Sequence, residues 1–298
     1  MKVGIAGIGK MGAAIAQRLI SFGHEVTVWN RTAEKAKPLA AAGAKVAETP
    51  AALAAASEAI ITILTDAAAI EAVYNGARGL LSGNVAGKLF IEMSTVRPET
   101  EVGLASKVKQ KGAAIIECPV GGTVGPAREG KLLGLAGGGA ADVARAKPLL
   151  DQMCRRVEHV GPIGAGTRMK LAINLPLMAF WQAFGEALVL CAPLGLDLHR
   201  VVDIFADSAA GPNLLKGRGP AIAKVLKGED TGGAMFDVDS MRKDLRSMIE
   251  EANALGAEAP LTECTLKCFD QASEEGFGAA DTAALPARWL RRSVKIGI

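Results

Sequence analysis

The chain is 298 residues long, half of them hydrophobic, with a formal net charge of only +3. That is enough apolar material for one large domain or two ordinary ones, and the absence of a basic block argues against a nucleic-acid surface. The five cysteines are odd in number and mostly scattered, which argues against a disulfide framework and for a reducing, cytoplasmic setting; no cysteine and histidine spacing makes a zinc site, so no metal is expected.

The chain opens on a strand, Lys2–Ala6, that runs into a glycine turn with no apolar leader and cleavage site. Further strands are expected at Glu25–Trp29, Ala59–Leu64, Lys88–Met93, Ala113–Cys118, Leu132–Ala136 and Val157–Val160. Ala-rich helical stretches such as Met11–Ser21 and Ala33–Ala42 lie between them. Alternation of this kind predicts βαβ units, hence an α/β domain with a mostly parallel sheet and helices on both faces. After Gly161-Pro162 the strand signals nearly vanish. Helices are expected at Asp197–Ser208, Val238–Leu255 and Pro260–Glu275, bounded by Gly195, Gly211-Pro212, Gly256 and Gly276. The reading is a first domain over residues 1–162 and an all-α second domain over 163–298. The apolar stretch from Leu171 to Leu196 carries Asn174, Pro176, Gln182, Glu186 and Pro193, so a buried helix is expected there and not a bilayer segment.

Gly7-x-Gly9-x-x-Gly12 follows the first strand directly and opens the first helix. Gly7 permits a tight turn, Gly9 lets the backbone approach a pyrophosphate, and Gly12 allows close packing of helix on strand. Ile8 and Met11 belong to the same turn, and the helix start offers free N–H groups to the anion. Strand–turn–helix context makes this the fingerprint of a Rossmann-type, dinucleotide-binding domain. The second strand ends in Asn30-Arg31-Thr32. An NAD binder usually has a carboxylate there, accepting from the ribose 2′-hydroxyl. Here Arg31 can pair with a 2′-phosphate, with Asn30 and Thr32 adding neutral bonds. NADP is the expected cofactor, with NAD possible.

Taken together, five segments resemble the 3-hydroxyisobutyrate dehydrogenase family, also called the β-hydroxyacid dehydrogenases. They are Gly7–Gly12 with Gly23-His24 and Asn30-Arg31-Thr32; Met93-Ser94-Thr95 with Pro98; Pro119-Val120-Gly121-Gly122; Lys170 with Asn174; and, as a weaker marker, Lys243-Asp244-Leu245. The family includes tartronate semialdehyde, glyoxylate/succinic semialdehyde and sulfolactaldehyde reductases and is related to 6-phosphogluconate dehydrogenase. The resemblance implies a Rossmann-type domain, a long interdomain helix and a helical domain. It implies that Leu64, Thr65 and Thr95 line the cofactor, that Lys243 reaches it from the helical domain, and that Ser94 and the Pro119–Thr123 turn face the substrate. The implied reaction moves a hydride between the nicotinamide and a small 3-hydroxyacid or its carboxylate-bearing aldehyde. The apolar helices of the second domain would suit a homodimer or homotetramer.

Lys170 and Asn174 are four residues apart and so share a helix face. A lone lysine beginning an apolar helix would by default extend to water; the family context makes it the general acid/base instead. Hydride transfer to a carbonyl leaves negative charge on oxygen, which an ammonium can stabilise and protonate, while Asn174 can orient the lysine or hold the hydroxyl. The imine-reducing relatives typically lack the lysine. The turn Glu117-Cys118-Pro119-Val120-Gly121-Gly122-Thr123 departs from the family's Asp-Ala-Pro-Val followed by Ser-Gly-Gly: Gly121 stands where the family has serine, and Thr123 where it has the second glycine. Backbone N–H groups of Gly121, Gly122 and Thr123 can still cradle a carboxylate. The sulfolactaldehyde branch continues after Pro-Val-Gly with an arginine and Thr-Ser, which this chain lacks. His24, His159 and His199 are expected in packing or solvent roles.

Two other readings stand beside this one. The chain could be an NAD-dependent dehydrogenase of the same architecture, of the 3-hydroxyisobutyrate or sulfolactaldehyde type. It could also be a non-catalytic dinucleotide-binding interaction module, like relatives in which the lysine is replaced; intact Lys170 and Asn174 disfavour that.

Overall fold

Short apolar runs become strands buried on both faces, and the structure, a computed structural model, describes residues 1–229 and 233–295 of the chain. The strands are β1 (Lys2–Ala6), β2 (Glu25–Trp29), β3 (Lys45–Val46), β4 (Ala59–Thr62), β5 (Leu89–Glu92), β6 (Ala114–Glu117), β7 (Val120–Gly121), β8 (Leu132–Gly137) and β9 (Cys154–Gly161). They form one sheet in the order β3-β2-β1-β4-β5-β6-β8-β7, with β9 pairing with β8. The ladder is parallel except where β8 meets β6 and β7. The helices beside it are α1 (Lys10–Ser21), α2 (Lys37–Ala41), α3 (Pro50–Ala55), α4 (Ala67–Asn75), α5 (Pro98–Gln110), α6 (Val124–Glu129) and α7 (Ala140–Met153).

Successive residues along each strand point to opposite faces, so residues two apart share one, and the core divides accordingly. Val3, Ile5, Val26, Val28, Ile61 and Ile91 pack with α1 and α7 on one face. Ala6, Ile60, Phe90 and Ile115 pack on the other with Leu53, Tyr74 and Leu104 from α3, α4 and α5. The strand order reverses at β1, whose neighbours β2 and β4 lie on opposite sides. In such a sheet the crevice forms outside the strand C-termini at that point, which here means the turns after β1 and β4.

The strands at Lys45–Val46 and Val120–Gly121 were not expected, because two residues show no periodicity. Beyond the sheet come α8 (Ala165–Cys191), α9 (Leu198–Asp207), α10 (Asn213–Leu226), α11 (Val238–Ala254), α12 (Pro260–Ala272) and α13 (Ala284–Lys295). The chain divides into two compact units between Ala172 and Ile173, inside α8. Within the second unit, Met178, Trp181, Phe184 and Leu188 form the buried stripe of α8, with Phe205 edge-on to Phe184 at 5.1 Å between ring centres. By length and composition α8 could cross a membrane, and a third of its apolar window is buried within the chain. Ion pairs inside this unit include Arg218 with Asp281 at 2.9 Å and the buried Arg288 with Glu275 at 2.5 Å.

Candidate active site

The glycine turn is built by backbone requirements. Gly7 has φ +101°, and a Cβ there would overlap the Ile63 carbonyl; a Cβ on Gly12 would overlap the carbonyl of Gly7. Gly9 faces open space, caps α1, and is followed by a first helical turn without acidic residues. The turn is braced from β2: the Gly7 N–H donates to the Trp29 carbonyl at 3.0 Å, and the Ile8 N–H donates to Asn30 Oδ1 at 2.9 Å. The Asn30 amide nitrogen donates to the Thr32 carbonyl at 2.9 Å. Asn30 thus ties the glycine turn to the strand end, leaving one amide hydrogen for other partners.

One cavity is lined by Gly7, Gly9, Asn30, Arg31, Thr32, Ile63, Leu64 and Thr65, so it opens on the turns after β1 and β4 as the topology requires. Pro50, Ala72 and Val73 add an apolar wall, and Lys35 and Arg78 add two cations to Arg31. None of its lining residues is acidic. Arg31, Lys35 and Arg78 make no salt bridge or side-chain hydrogen bond among the described residues. Lys35 and Arg78 were not singled out from the sequence. Lys35 lies four residues beyond Arg31 on the next helical turn, whereas Arg78 meets Arg31 only through the fold.

Behind the Leu64 wall lies a buried polar row. Thr62, Glu92 and Glu117 are in register across β4, β5 and β6, at the C-terminal ends of the strands. The Leu64 N–H donates to Ser94 Oγ at 2.8 Å, and the Ser94 hydroxyl donates onward to Glu92. Glu92 also accepts from the Ser94 N–H at 2.8 Å and from Thr62 at 3.2 Å, while Tyr74 meets the Thr62 hydroxyl at 2.8 Å. Glu101, from α5, shares a hydrogen bond with Glu92, and both are buried. Two carboxyls can share such a bond only if one is protonated. Burial pushes both up, Glu92 to about 6 and Glu101 well above the carboxylate range, where the Glu92 charge adds to the effect. Glu101 is therefore the proton holder. Ser94, expected to face the substrate, is only 2% exposed, and its hydroxyl is engaged on both sides. Its evident effect is to fix Leu64. Thr95 beside it is half-buried.

Val120 and Gly121 pair with Gly134 and Leu133 of β8. Gly122 has φ +129° and Thr123 precedes α6 without capping it through its side chain. Gly121 is not required by space: a Cβ there would be an ordinary 3.6 Å from Leu133. Lys170 is half-buried on the second turn of α8 and Asn174 is buried one turn later. In the second unit, the Asn174 amide donates to Asp244 Oδ2 at 3.2 Å. Lys243 lies 2.9 Å from Asp244 Oδ1, a charge contact without hydrogen-bond alignment. The buried Asp244 thus joins Asn174 and Lys243, two residues the sequence singled out separately. His24 and His159 bond to Gln152 and to the Gly138 and Gly161 carbonyls, while His199 lies on α9 away from these residues in sequence.

Comparison with known proteins decides the kinship. Residues 2–161 match the model of the NAD-binding domain of 6-phosphogluconate dehydrogenase, and residues 164–289 match that of the NAD-binding domain of NADP-dependent 3-hydroxyisobutyrate dehydrogenase. The chain belongs to the 3-hydroxyisobutyrate dehydrogenase family. It is 32% identical to glyoxylate/succinic semialdehyde reductase 1 of Arabidopsis thaliana, over 96% of this chain and 97% of that one. It is 34% identical to 3-sulfolactaldehyde reductase of Escherichia coli (strain K12), over 95% and 94%. The solved 3-hydroxyisobutyrate dehydrogenase of Salmonella typhimurium is 25% identical over 96% and 99%, with a TM-score of 0.86. As a member of this family the chain is an NAD(P)-binding oxidoreductase.

Proposed function

We propose that the protein is an NADP(H)-dependent oxidoreductase of small 3-hydroxyacids or the corresponding carboxylate-bearing aldehydes, with Lys170 as general acid/base. The observation that carries the cofactor preference is the cavity with three unpaired cations and no carboxylate. A 2′-phosphate brings close to two negative charges, which Arg31, Lys35 and Arg78 can meet and which an acidic strand end would repel. The glycine turn and the α1 start would hold the pyrophosphate, and Leu64, Thr65 and Thr95 would lie along the nicotinamide half. Nicotinamide, when bound, supplies or accepts the hydride.

The protein's own part is to hold charge and move a proton. In reduction, the Lys170 ammonium stabilises the developing alkoxide and protonates it; in oxidation, the neutral amine takes the hydroxyl proton. Asn174, held by Asp244, holds the reacting oxygen or orients the lysine. The turn at Gly121, Gly122 and Thr123 offers backbone N–H groups to the substrate carboxylate. The named activities of the Arabidopsis and Escherichia coli relatives support an aldehyde bearing an acid group as substrate.

The experiment is an NADPH-oxidation assay on succinic semialdehyde and butyraldehyde with the parent protein and Lys170→Met. The variant should fold and bind NADPH while kcat falls roughly 10²- to 10⁴-fold, the usual loss of a positioned proton donor. The acid-bearing aldehyde should be much preferred in kcat/KM, since unpaired polar groups in a site discriminate more strongly than a missing methylene. Retained turnover by Lys170→Met, or equal efficiency on the two aldehydes, rejects the corresponding half of the proposal.

A further inference from the structure

The carboxylate of Glu117, at the end of β6, is fully buried and receives four hydrogen bonds from one place. The N–H of Gly164 donates to its Oε1, as does that of Gly166 at 3.0 Å. Thr167 donates to Oε2 twice, through its N–H at 3.2 Å and its hydroxyl at 2.6 Å. These donors are the residue before α8 and the first turn of α8, and Lys170 follows three residues later. All four groups donate, so the carboxylate serves them fully only when ionised. It then also neutralises the positive end of a 27-residue helix. The socket is shaped for it: a Cβ on Gly137 of β8 would overlap Glu117 Oε1, and one on Gly166 would overlap the Leu135 carbonyl. Burial pushes the Glu117 carboxyl up, while the Thr167, Gly166 and Gly164 bonds pull it back. Two residues further along the chain, Glu117 leads into the Pro119–Thr123 turn, so its backbone fixes that turn while its side chain fixes the start of α8.

Resting on the reading of Lys170 above, we propose that Glu117 is the positioning residue of that lysine: it locks the rotation and advance of α8 at its first turn, and so sets where the ammonium stands relative to the turn at Gly121–Thr123. Misplacement of a reacting group by about 1 Å can cost on the order of 10²-fold in rate, whereas the cofactor cavity lies on other turns.

The test is a double-mutant cycle in the full chain with succinic semialdehyde as the probe. Glu117→Gln should lower kcat roughly 10- to 100-fold, the range expected for a displaced group, with little change in KM or in the NADPH Kd read by fluorescence. In the Lys170→Met background the same substitution should cost less than about 2-fold, because the group it positions is gone. Thr167→Val, which removes one bond and keeps the charge, should show a smaller loss with the same dependence on Lys170, and it carries the test should Glu117→Gln fail to fold. Equal losses with and without Lys170 overturn the positioning role and leave the acid/base reading intact. Full turnover by Lys170→Met alone overturns the acid/base reading itself.

Discussion

Arg31 stands where the end of a strand meets the cavity proposed for the cofactor, and the missing carboxylate in Asn30-Arg31-Thr32 is what singles it out in the sequence. Arg78 was not legible, because it lies after α4, 47 positions on, and reaches the same cavity only once β4 and α4 are folded beside β1. NADPH should bind at least about 10-fold more tightly than NADH, and Arg31→Ala should remove most of that difference while leaving NADH nearly untouched. Arg78→Ala should act in the same direction, since Arg78, exposed like Arg31, lines the same cavity. Titration of cofactor fluorescence with both dinucleotides reads all of these, and equal parent affinities would remove the argument. Asn30 lines the same cavity, and most of its amide braces the glycine turn, a partner 22 residues away that no local pattern reveals.

Strands and helices of ordinary length were readable from their periodicity, and the first βαβ unit from its glycines. α10 was not expected because Gly217, Gly219 and Pro220 look like a loop; Pro220 falls inside the helix, where packing of Leu215, Ile222 and Ala223 outweighs its cost. The buried acids were hidden for another reason. Glu92 and Glu117 each end an apolar strand, where a charged residue looks like a surface boundary. The matching endings Phe-Ile-Glu and Ile-Ile-Glu, however, put two carboxylates opposite each other on neighbouring strands, an arrangement that demands protonation or strong partners. Stability should follow from this. The folded values of Glu92 and Glu101 lie above the ordinary 4.5, so the folded state holds their proton more tightly than the unfolded chain does. That contribution is complete below about pH 4.5 and is lost as pH rises through about 6 and beyond, at up to about 1.4 kcal/mol per pH unit for one proton. In Glu101→Gln the amide can donate to Glu92 without titrating. The Tm of the cofactor-free protein should therefore fall less between pH 5 and pH 8 in Glu101→Gln than in the parent. Equal declines in calorimetry would show that the pair holds no proton that matters to folding.

Across the molecule, six acidic side chains are buried among the described residues, Glu92, Glu101 (which holds its proton), Glu117, Asp244, Glu251 and Asp281, against a single buried arginine, Arg288. A formal charge of +3 is therefore a poor guide to what the solvent meets. With acid withdrawn inside, the outward-facing groups carry a larger positive excess, and the cations around the cofactor cavity belong to it. Such a field reaches about 10 Å at 0.1 M salt and draws anions before any contact is made. NADPH and a carboxylate-bearing aldehyde are both anions. In stopped-flow mixing, the association rate of NADPH should fall severalfold from low salt to about 0.5 M NaCl, with a smaller change in the dissociation rate. A rate indifferent to salt would mean the field is too diffuse to guide the ligand. If the rate does fall, the placement of acids inside the sheet and helices, none of them lining the cavity, will have helped to set how fast the ligand arrives.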